Sequence, residues 1–422
     1  MPDRISEDAA AAGPLAGVVV LDVTHVMAGS YCGLLLGEMG AQVVKVERAG
    51  GGDDLRRNQT LARGAFRPYD AVNHGKRSLA LDLGDPRGAE VLRRLADGAD
   101  VLVENYRPGT LERLGVGPAG LRARNPRLVT CSISGFGASG PEAAVPGFDL
   151  VAQGAAGIMS LTGEPARPPV VAGVPLSDLN AGSFAALGIL SALFERERSG
   201  AGQHVDTSLF EAALAYTVWE SALWFDTGAV PGPAGSSHRL GSPYGAFATA
   251  DGHLTLGAAT QANWERLCRA IGRETLASDE RFSNGLGRLR NKPALFAELA
   301  AVFATDTTAS WIARLRAAGV PSGPVRNIAE AHASPQARAR EMSVALGEID
   351  GRERFVLGVP AKLSRTPWRV RGRASGYGED GTAVLRAAGF AAEEIAALVE
   401  AGVLVGEAPA PRSQQAADAE AP

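Results

Sequence analysis

The first half of the chain alternates short apolar runs with segments of helical periodicity. Residues 17–23 (GVVVLDV) and 42–47 (QVVKVE) are apolar and β-branched, and residues 30–40 between them carry apolar side chains at helical spacing. Runs without polar alternation are typical of strands buried on both faces. Strands and helices in alternation predict a parallel sheet covered by helices. Further strands are predicted at 100–103, 128–133 and 203–207, and helices from Asp85-Pro86 onward, at 178–198 and at 209–225.

A change in composition divides the chain into a large and a small domain. The linker segment is rich in Gly, Pro and Ser, which is typical of a break between domains. A strand at 253–257 and several helical patterns predict an α/β fold for the small domain, and a last helix at 391–403 is expected to pack on the large one. The predicted organisation is a disordered N-terminus (1–13), a large domain (14–227), a linker (228–243), a small domain (244–330), a linker with a C-terminal return to the large domain (331–405) and a disordered tail (406–422).

Composition excludes several classes of function. Of the 422 residues, 45% are hydrophobic and 21% are charged, as in an ordinary soluble globular protein. The formal charge of -4 gives no electrostatic reason to expect nucleic acid as a partner. Three cysteines are too few for a disulfide framework, and the six histidines form no close ligand pair, so we expect no metal site. No secretory signal is visible, and no segment approaches the ~20 apolar residues of a membrane helix, so we expect a cytoplasmic protein without a membrane partner.

Three glycine-rich segments do not fit known binding or catalytic motifs. Residues 28–33 (AGSYCG) lack the first glycine of the dinucleotide motif G-x-G-x-x-G. Residues 50–53 (GGGD) are not followed by the Lys-Ser or Lys-Thr of a phosphate-binding loop. Residues 135–140 (GFGASG) do not place serine as G-x-S-x-G requires. These segments therefore predict neither a nucleotide site nor a serine hydrolase.

Asp178 stands just before a long apolar helix, in the sequence LSDLN. As an N-cap it would stabilise that helix by about 1 kcal/mol without any further role. The start of a buried helix is also a preorganised anion site, where the dipole and free amides keep a carboxylate ionised. Upstream, residues 153–157 (QGAAG) are small enough for a ligand to approach the backbone closely. Both interpretations remain open from the residues alone.

Six ordered blocks resemble the family III CoA-transferases, the group that contains carnitine and formyl-CoA transferases, over about residues 14–403. The blocks are PLAGVVVLDVTHVMAGSYCGLLLGEMGAQVVKVER, NHGKRSLALDL, VLVENYRPGTLERLG, GFDLVAQGAAGIMSLTG, GVPLSDLNAGSFAALGILSALFERERSGAGQHVDTSLFEA and GVPSGPV. The resemblance implies an enzyme that moves CoA from an acyl-CoA donor to a carboxylic acid acceptor, with CoA as substrate and no tightly bound cofactor. It also implies a Rossmann-like large domain and an interlocked homodimer of two threaded rings.

The resemblance assigns roles to matching positions. The family's nucleophilic aspartate falls on Asp178, which implies aspartyl anhydride and aspartyl-CoA thioester intermediates. Arginines that meet the CoA phosphates fall on Arg48 and Arg113; guanidinium forks suit phosphate, whereas the alternative for such an arginine is a solvated surface charge. The other matched CoA-binding positions are Lys76, Asn105, Tyr106 and the loop beside the thioester, His25, Val26, Met27 and Ala28.

At several positions this sequence differs from family members of known activity, and the differences favour some reactions and substrates over others. Racemases of the superfamily carry a Gly-His-Asp block, which here reads GFD at 147–149; Phe148 cannot exchange a proton, and this favours CoA transfer over racemisation. Residues 240–244 (LGSPY) do not match the glycine loop of formyl-type enzymes, and Ser134 and Phe136 replace their lysine and tyrosine, which does not favour oxalate or formate.

Amides at 179–180 or 154–157 are candidates for stabilising tetrahedral intermediates. The alternatives are an acyl-CoA racemase or epimerase and a non-catalytic CoA-binding protein.

Overall fold

The computed structural model describes residues 13–57, 67–349 and 351–406 and divides into two compact units. The larger unit holds the described residues up to Ile158, Ala172–Val218 and those from Arg340 onward, and the smaller unit holds Met159–Val171 and Trp219–Ala339. The division thus falls at 218/219 rather than at the predicted 227/228, and the sequence pattern did not assign 159–171 to the small domain. Apart from Gly13 and Gly406, the ends predicted to be disordered lie outside the described residues.

Six parallel strands form the central sheet of the larger unit, in the order β3-β2-β1-β4-β5-β6. They are β1 (Val19–Val23), β2 (Gln42–Arg48), β3 (Arg77–Leu81), β4 (Val101–Glu104), β5 (Val129–Ser134) and β6 (His204–Ser208). The predicted Rossmann-like sheet is confirmed. β3 is missing from the predicted strands because its sequence, RSLAL, opens with two polar side chains. The strand order reverses between β1 and β4, and open α/β sheets bind ligands at such a switch point, beyond the carboxyl ends of the strands.

Helices cover both faces of this sheet. In chain order the helices of the described residues are α1 (Ala28–Glu38), α2 (Asp54–Arg57), α3 (Pro68–Asn73), α4 (Pro86–Gly98), α5 (Thr110–Arg113), α6 (Pro118–Arg124), α7 (Asp149–Ala155), α8 (Ile158–Leu161), α9 (Leu176–Ser199), α10 (Leu209–Ala215), α11 (Val218–Thr227), α12 (Gln261–Ala270), α13 (Thr275–Ser278), α14 (Gly285–Arg290), α15 (Lys292–Phe303), α16 (Thr308–Ala317), α17 (Ile328–His332), α18 (Pro335–Ala339), α19 (Gly381–Ala387) and α20 (Ala392–Glu400). Alternate side chains of β1 enter two cores: Val19, Leu21 and Val23 face α4, α19 and α20, and Val20 faces α1 and α9.

The C-terminal segment is part of the larger unit, as the sequence predicted. Leu404 is 1% exposed and belongs to the core that α4 covers. The backbone also joins the sheet, because Val405 N–H donates to the carbonyl of Ala80 (3.0 Å) and Asp82 N–H donates to that of Val403 (2.8 Å). Nearby in sequence, an antiparallel hairpin of β10 (Ser343–Ile349) and β11 (Arg352–Leu357) belongs to the same unit.

The smaller unit has the predicted α/β character. An antiparallel sheet in the order β7-β8-β9 packs with helices α12 to α16 around a core that includes Trp264 and Phe303. Its strands are β7 (Tyr244–Ala248), β8 (His253–Gly257) and β9 (Ser322–Pro324).

The predicted helix at 209–225 is two helices in the structure. α10 ends at Ala215 and α11 begins at Val218. Between them, Thr217 turns back on the first helix: its N–H (3.0 Å) and its hydroxyl (2.8 Å) both donate to the carbonyl of Leu214. These bonds satisfy a terminal carbonyl of α10 and so end the helix.

One helix in the described part of the chain, α9, is long and apolar enough to cross a membrane by length and composition alone. The prediction that no segment approaches the length and hydrophobicity of a membrane helix was therefore wrong. Ala181, Ala185 and Ile189 of α9 are completely buried and pack in the core together with α1. This packing is typical of a central core helix, which meets the same criteria.

A buried polar network connects the first two strands with α1. Lys76 Nζ donates to Asp22 Oδ2 (2.7 Å), to the Ser30 carbonyl (2.7 Å) and to Asn73 Oδ1 (2.8 Å). Lys45 Nζ lies 3.3 Å from Asp22 Oδ1. Although burial opposes ionisation, Lys45 and Lys76 hold the pKa of Asp22 well below its usual range, so the carboxylate stays charged inside the protein.

Two glycines allow α1 to lie against this network. A Cβ on Gly33 would come within 2.4 Å of Asp22 Oδ2, and one on Gly29 within 2.4 Å of Thr24 Cγ2. The glycines of AGSYCG, which do not form a dinucleotide motif, therefore serve close packing of α1 on the polar network.

We expect Lys76→Met to lower the free energy of unfolding by about 3–5 kcal/mol, because removing one partner of a buried ionic network leaves charge uncompensated. Chemical denaturation measures this value. Lys362→Met is the matched control: Lys362 is exposed, and its loss should change stability by no more than about 0.5 kcal/mol. A loss below about 1 kcal/mol for Lys76→Met would show that the network is not stabilising in this way.

Candidate active site

A cavity of about 480 Å³ lies in the larger unit at the carboxyl edge of the parallel sheet. Its lining takes a residue from the end of each of five strands: His25 after β1, Arg48 in β2, Asn105 after β4, Gly135 after β5 and Leu209 after β6. Carboxyl ends of parallel strands meet at one edge, so the fold brings together residues far apart in sequence. The cavity therefore lies where the strand order predicts a ligand site.

Eight of the ten residues singled out from the sequence line this cavity. They are His25, Val26, Met27, Ala28, Arg48, Asn105, Tyr106 and Asp178.

Lys76 and Arg113 are the two that the structure does not bring to the cavity wall. Lys76 is 3% exposed, and its ammonium is already bonded within the polar network, so the structure does not support a direct contact with CoA; its role is to hold the fold. Arg113 is exposed on α5 and donates to Thr110 Oγ1 (3.0 Å), and Thr110 lines the cavity. Arg113 thus lies one helical turn from the cavity edge.

Other lining residues were missed by sequence reasoning. Arg107 adds a second cation to the cavity wall. It directly follows the predicted pair Asn105 and Tyr106, and this position could have identified it from the sequence. Asp54 pairs with Arg48 (2.9 Å), and both side chains are more than half exposed. An exposed pair of this kind is weak, so Arg48 can exchange its partner for a phosphate.

The loop after β1 is held by a side chain from the loop after β4. Asn105 Oδ1 accepts the N–H of His25 (2.9 Å), and Asn105 Nδ2 donates to the His25 carbonyl (2.8 Å). The rings of His25 and Tyr106 lie 5.2 Å apart. Burial lowers the pKa of His25 below its usual value, which favours the neutral ring. Asn105 thus fixes both backbone polar groups of this cavity residue.

Gly135 and Gly147 bring two loops into backbone contact at the cavity wall. A Cβ on Gly135 would come within 2.7 Å of the Gly147 Cα, and one on Gly147 within 2.4 Å of the Gly135 Cα. The contact places Phe148, whose side chain is 72% exposed, in the cavity lining. Phe148 therefore occupies the position in the cavity wall that matches the histidine of the Gly-His-Asp block in racemases.

Asp178 lies in the first turn of α9 rather than at its N-cap. The helix begins at Leu176, with Pro175 as the N-cap residue, so the N-cap interpretation was wrong. The amide of Ser177 donates to Asp149 Oδ1 (2.8 Å), and Asp149 Oδ2 accepts from Gln153 Nε2 (2.8 Å). The helix start therefore holds Asp149, and Gln153 of the QGAAG segment supports the same carboxylate.

The environment of Asp178 opposes its ionisation. Burial and the neighbouring negative charge of Asp149 raise the pKa of Asp178 to about 7. The expectation that free amides keep this carboxylate ionised was therefore wrong. Among the described residues, no group donates a hydrogen bond to the Asp178 side chain, which is half-buried and lines the cavity.

The two groups of amides considered for oxyanion binding are already used or lie elsewhere. Leu179 N–H donates to the Pro175 carbonyl (3.0 Å). Gly157 N–H donates to the Gly154 carbonyl (3.3 Å), and neither glycine lines the cavity. In the described part of the chain, no group of three His, Cys, Asp or Glu side chains is arranged to hold a metal.

Comparisons with known proteins agree with this geometry. The sequence model of CoA-transferase family III matches residues 15–381. The acetyl-CoA:oxalate CoA-transferase of Acetobacter aceti is 37% identical over 353 residues, which cover 83% of this chain and 90% of that protein. The succinate–glutarate CoA-transferase of Agrobacterium fabrum is 36% identical over 387 residues, covering 88% and 95%. Among solved structures, a CAIB/BAIF family protein from Brucella suis superposes with a TM-score of 0.79 at 32% identity, covering 89% of this chain and 100% of that one. The chain therefore belongs to CoA-transferase family III and is an enzyme that transfers coenzyme A.

Proposed function

We propose that this enzyme transfers CoA between an acyl-CoA and a carboxylic acid with Asp178 as covalent nucleophile. The observation that carries the proposal is the half-buried carboxylate that lines the cavity without a hydrogen-bond donor among the described residues. A carboxylate used only for structure is normally bonded when it is buried. An unpartnered one at a cavity wall is free to attack a bound carbonyl carbon.

The proposed reaction has four displacement steps. An Asp178 oxygen attacks the acyl-CoA carbonyl, the C–S bond breaks, and the products are an acyl-aspartyl anhydride and CoA thiolate. The thiolate attacks the aspartyl carbonyl, which releases the donor acid and forms an aspartyl-CoA thioester. The acceptor carboxylate then attacks that thioester to form a second anhydride and thiolate. The thiolate attacks the acceptor's acyl carbon, which yields the new acyl-CoA and restores the Asp178 carboxylate.

Residues that line the cavity are assigned to the phosphates and to the thioester of acyl-CoA. Arg48 and Arg107 are the lining cations suited to its phosphates, with Arg113 just beyond the edge. The His25–Ala28 segment lines the same cavity as Asp178, which supports its assignment as the loop that borders the thioester. The first-turn amides of α1 have no acceptor within the helix, and Ala28 at its start lines the cavity. We assign to these amides the stabilisation of the tetrahedral oxyanions.

An interlocked homodimer in the cytoplasm is also part of the proposal. α11 carries Trp224 and Phe225 with more than half of each side chain exposed. Large aromatic side chains left open on one chain are typical of surfaces that an oligomer covers.

Racemisation on the same scaffold is less well supported. Proton exchange at the carbon next to the thioester needs a titratable group on each side. Phe148, in the lining of the cavity, has no such group. Solvent deuterium should therefore not enter recovered acyl-CoA.

We expect Asp178→Ala to reduce CoA transfer at least about 1000-fold, since the covalent route loses its nucleophile. Its dissociation constant for CoA, measured by calorimetry, should change by less than about threefold because Arg48 and Arg107 remain. Mass spectrometry of the wild-type enzyme after acyl-CoA and hydroxylamine should show a hydroxamate at Asp178. Retention of more than a few per cent of activity, or no hydroxamate under turnover, would defeat the assignment.

The pH profile should report the raised pKa of Asp178, which burial and Asp149 bring to about 7. Only the ionised form attacks, so the acylation rate should fall about tenfold per pH unit below that value and level off above it. Asp149→Asn removes the neighbouring charge but keeps an oxygen for the Ser177 N–H, so the midpoint should move to lower pH. Rapid-quench acylation across pH measures both enzymes with the same substrate. An unchanged midpoint would show that Asp149 does not control the nucleophile.

The exchanged acids are proposed to include a short dicarboxylate. The acids named for the relatives are oxalate, succinate and glutarate, and mesaconate in a Haloarcula hispanica relative that is 37% identical to this chain. With succinyl-CoA as donor, we expect four- to five-carbon dicarboxylates to be accepted at least about tenfold better, in kcat/KM, than monocarboxylates of the same length. Equal use of both sets in a chromatographic assay of acyl-CoA products would contradict this class.

A further inference from the structure

Val26 in the cavity wall has a backbone conformation that its side chain does not favour. Its φ is +60°, in the left-handed region, where a β-branched residue is a clear outlier. Among the described residues other than glycine, only Ala166 and Glu341 also have positive φ. Such a conformation persists only where the surroundings enforce it, and it is concentrated at functional sites.

Asp53 is the side chain that enforces this conformation. Both of its carboxylate oxygens accept the N–H of Val26, at 3.1 and 3.2 Å. One of them also accepts the N–H of Leu55 (2.9 Å), and the other lies 3.5 Å from Lys45 Nζ. The Asp53 side chain is 1% exposed, so no water competes for these bonds. The carboxylate is thus fixed by groups outside the cavity and aimed at one amide of the cavity loop.

The loop that Asp53 holds contributes four consecutive residues to the cavity that contains Asp178. Asn105 already fixes His25 on one side of Val26, and α1 begins at Ala28 on the other. Between these two anchors, the φ of Val26 decides where Met27 and the first amides of α1 point. A loop with a single unanchored torsion would place these groups differently in each molecule, and a displacement of about 1 Å can cost about 100-fold in rate.

We infer that Asp53 is a positioning residue for CoA transfer: it locks Val26 in the left-handed conformation so that the His25–Ala28 loop is set against the thioester. The inference rests on the proposed function for its rate readout, but the conformational claim stands on geometry alone. Asp53 itself does not line this cavity, so its effect reaches the substrate through the backbone of Val26.

Glycine at position 26 provides the decisive test, because glycine adopts φ near +60° without support. Asp53→Ala should be made in the wild-type background and in the Val26→Gly background. In the first, it should lower kcat by at least about tenfold with a smaller change in the dissociation constant for CoA. In the second, it should lower kcat by less than about threefold. If Asp53→Ala does not fold, Asp53→Asn keeps its shape while replacing one acceptor oxygen and removing the charge.

A role as counterion of Lys45 alone gives a different result. Removing Asp53 deprives Lys45 of a partner whichever residue stands at 26, so equal losses of activity in the two backgrounds would overturn the inference. Glu341→Gly is the matched control, because Glu341 has φ +52° and is not in the cavity lining. Asp53→Ala in that background should lose as much activity as in the wild type. Rescue there would also overturn the inference, since relief of strain anywhere would then suffice.

Two further measurements separate this inference from the proposed function. A crystal structure of the Asp53 variant should show Val26 outside the left-handed region, and unchanged φ would overturn the inference whatever the activity. If the wild-type enzyme forms no hydroxamate at Asp178, the proposed nucleophile fails. The interaction between positions 53 and 26 is then still read from kcat for CoA transfer in the same variants, which does not depend on the identity of the nucleophile, and an absence of coupling in kcat would overturn the positioning role.

Discussion

The buried ammonium of Lys45 is the point where the sheet, the first helix and the cavity loop meet. It donates to Ser30 Oγ of α1 (2.9 Å) and to the carbonyl of Thr24 (2.7 Å), and it lies near Asp22 and Asp53. The site is completely closed to water, so each carboxylate needs a cation to remain charged there. Through Asp22, the network sets the distance between α1 and β1, and through Asp53 it reaches the backbone of the cavity wall. Stability of the core and geometry of the site thus depend on the same charges.

Two neighbouring aspartates near the start of α9 differ in their hydrogen bonds. Asp149 takes the Ser177 amide and Gln153, and so it remains a structural anion. Asp178, in the first turn of α9, is left without a donor among the described residues, and its ionisation is opposed by burial and by the charge of Asp149. Two carboxyl groups in one site acquire different tasks when their environments differ. The arrangement therefore supports Asp178, rather than Asp149, as the proposed nucleophile.

The sequence predicted the architecture better than the local electrostatics. The sequence pattern predicted five of the six strands of the parallel sheet, and four of them, β1, β2, β4 and β5, are apolar runs, because strands buried on both faces have a strong signal. It missed β3, whose charged start hides a buried strand, and the break at Thr217, which depends on one side chain bonding backward to Leu214. For the site, eight of the ten residues assigned by matching positions line one cavity. Lys76 could not be separated from true cavity residues, since burial and the three acceptors around its ammonium arise only when distant segments pack.

The ionisation of Asp178 also could not be predicted from the sequence, because it depends on contacts between distant segments. From the chain alone, an aspartate at a helix start is expected to benefit from the helix amides, and nothing in LSDLN shows that Asp149 would occupy the Ser177 amide instead. For a nucleophilic carboxylate this outcome has a chemical advantage. A more basic oxygen is a better nucleophile, but only its ionised fraction reacts, so the two effects balance when the pKa lies near the working pH. A carboxylate stabilised by several amides would be fully ionised but poorly reactive. Because no group among the described residues donates a hydrogen bond to Asp178, its oxygen stays basic.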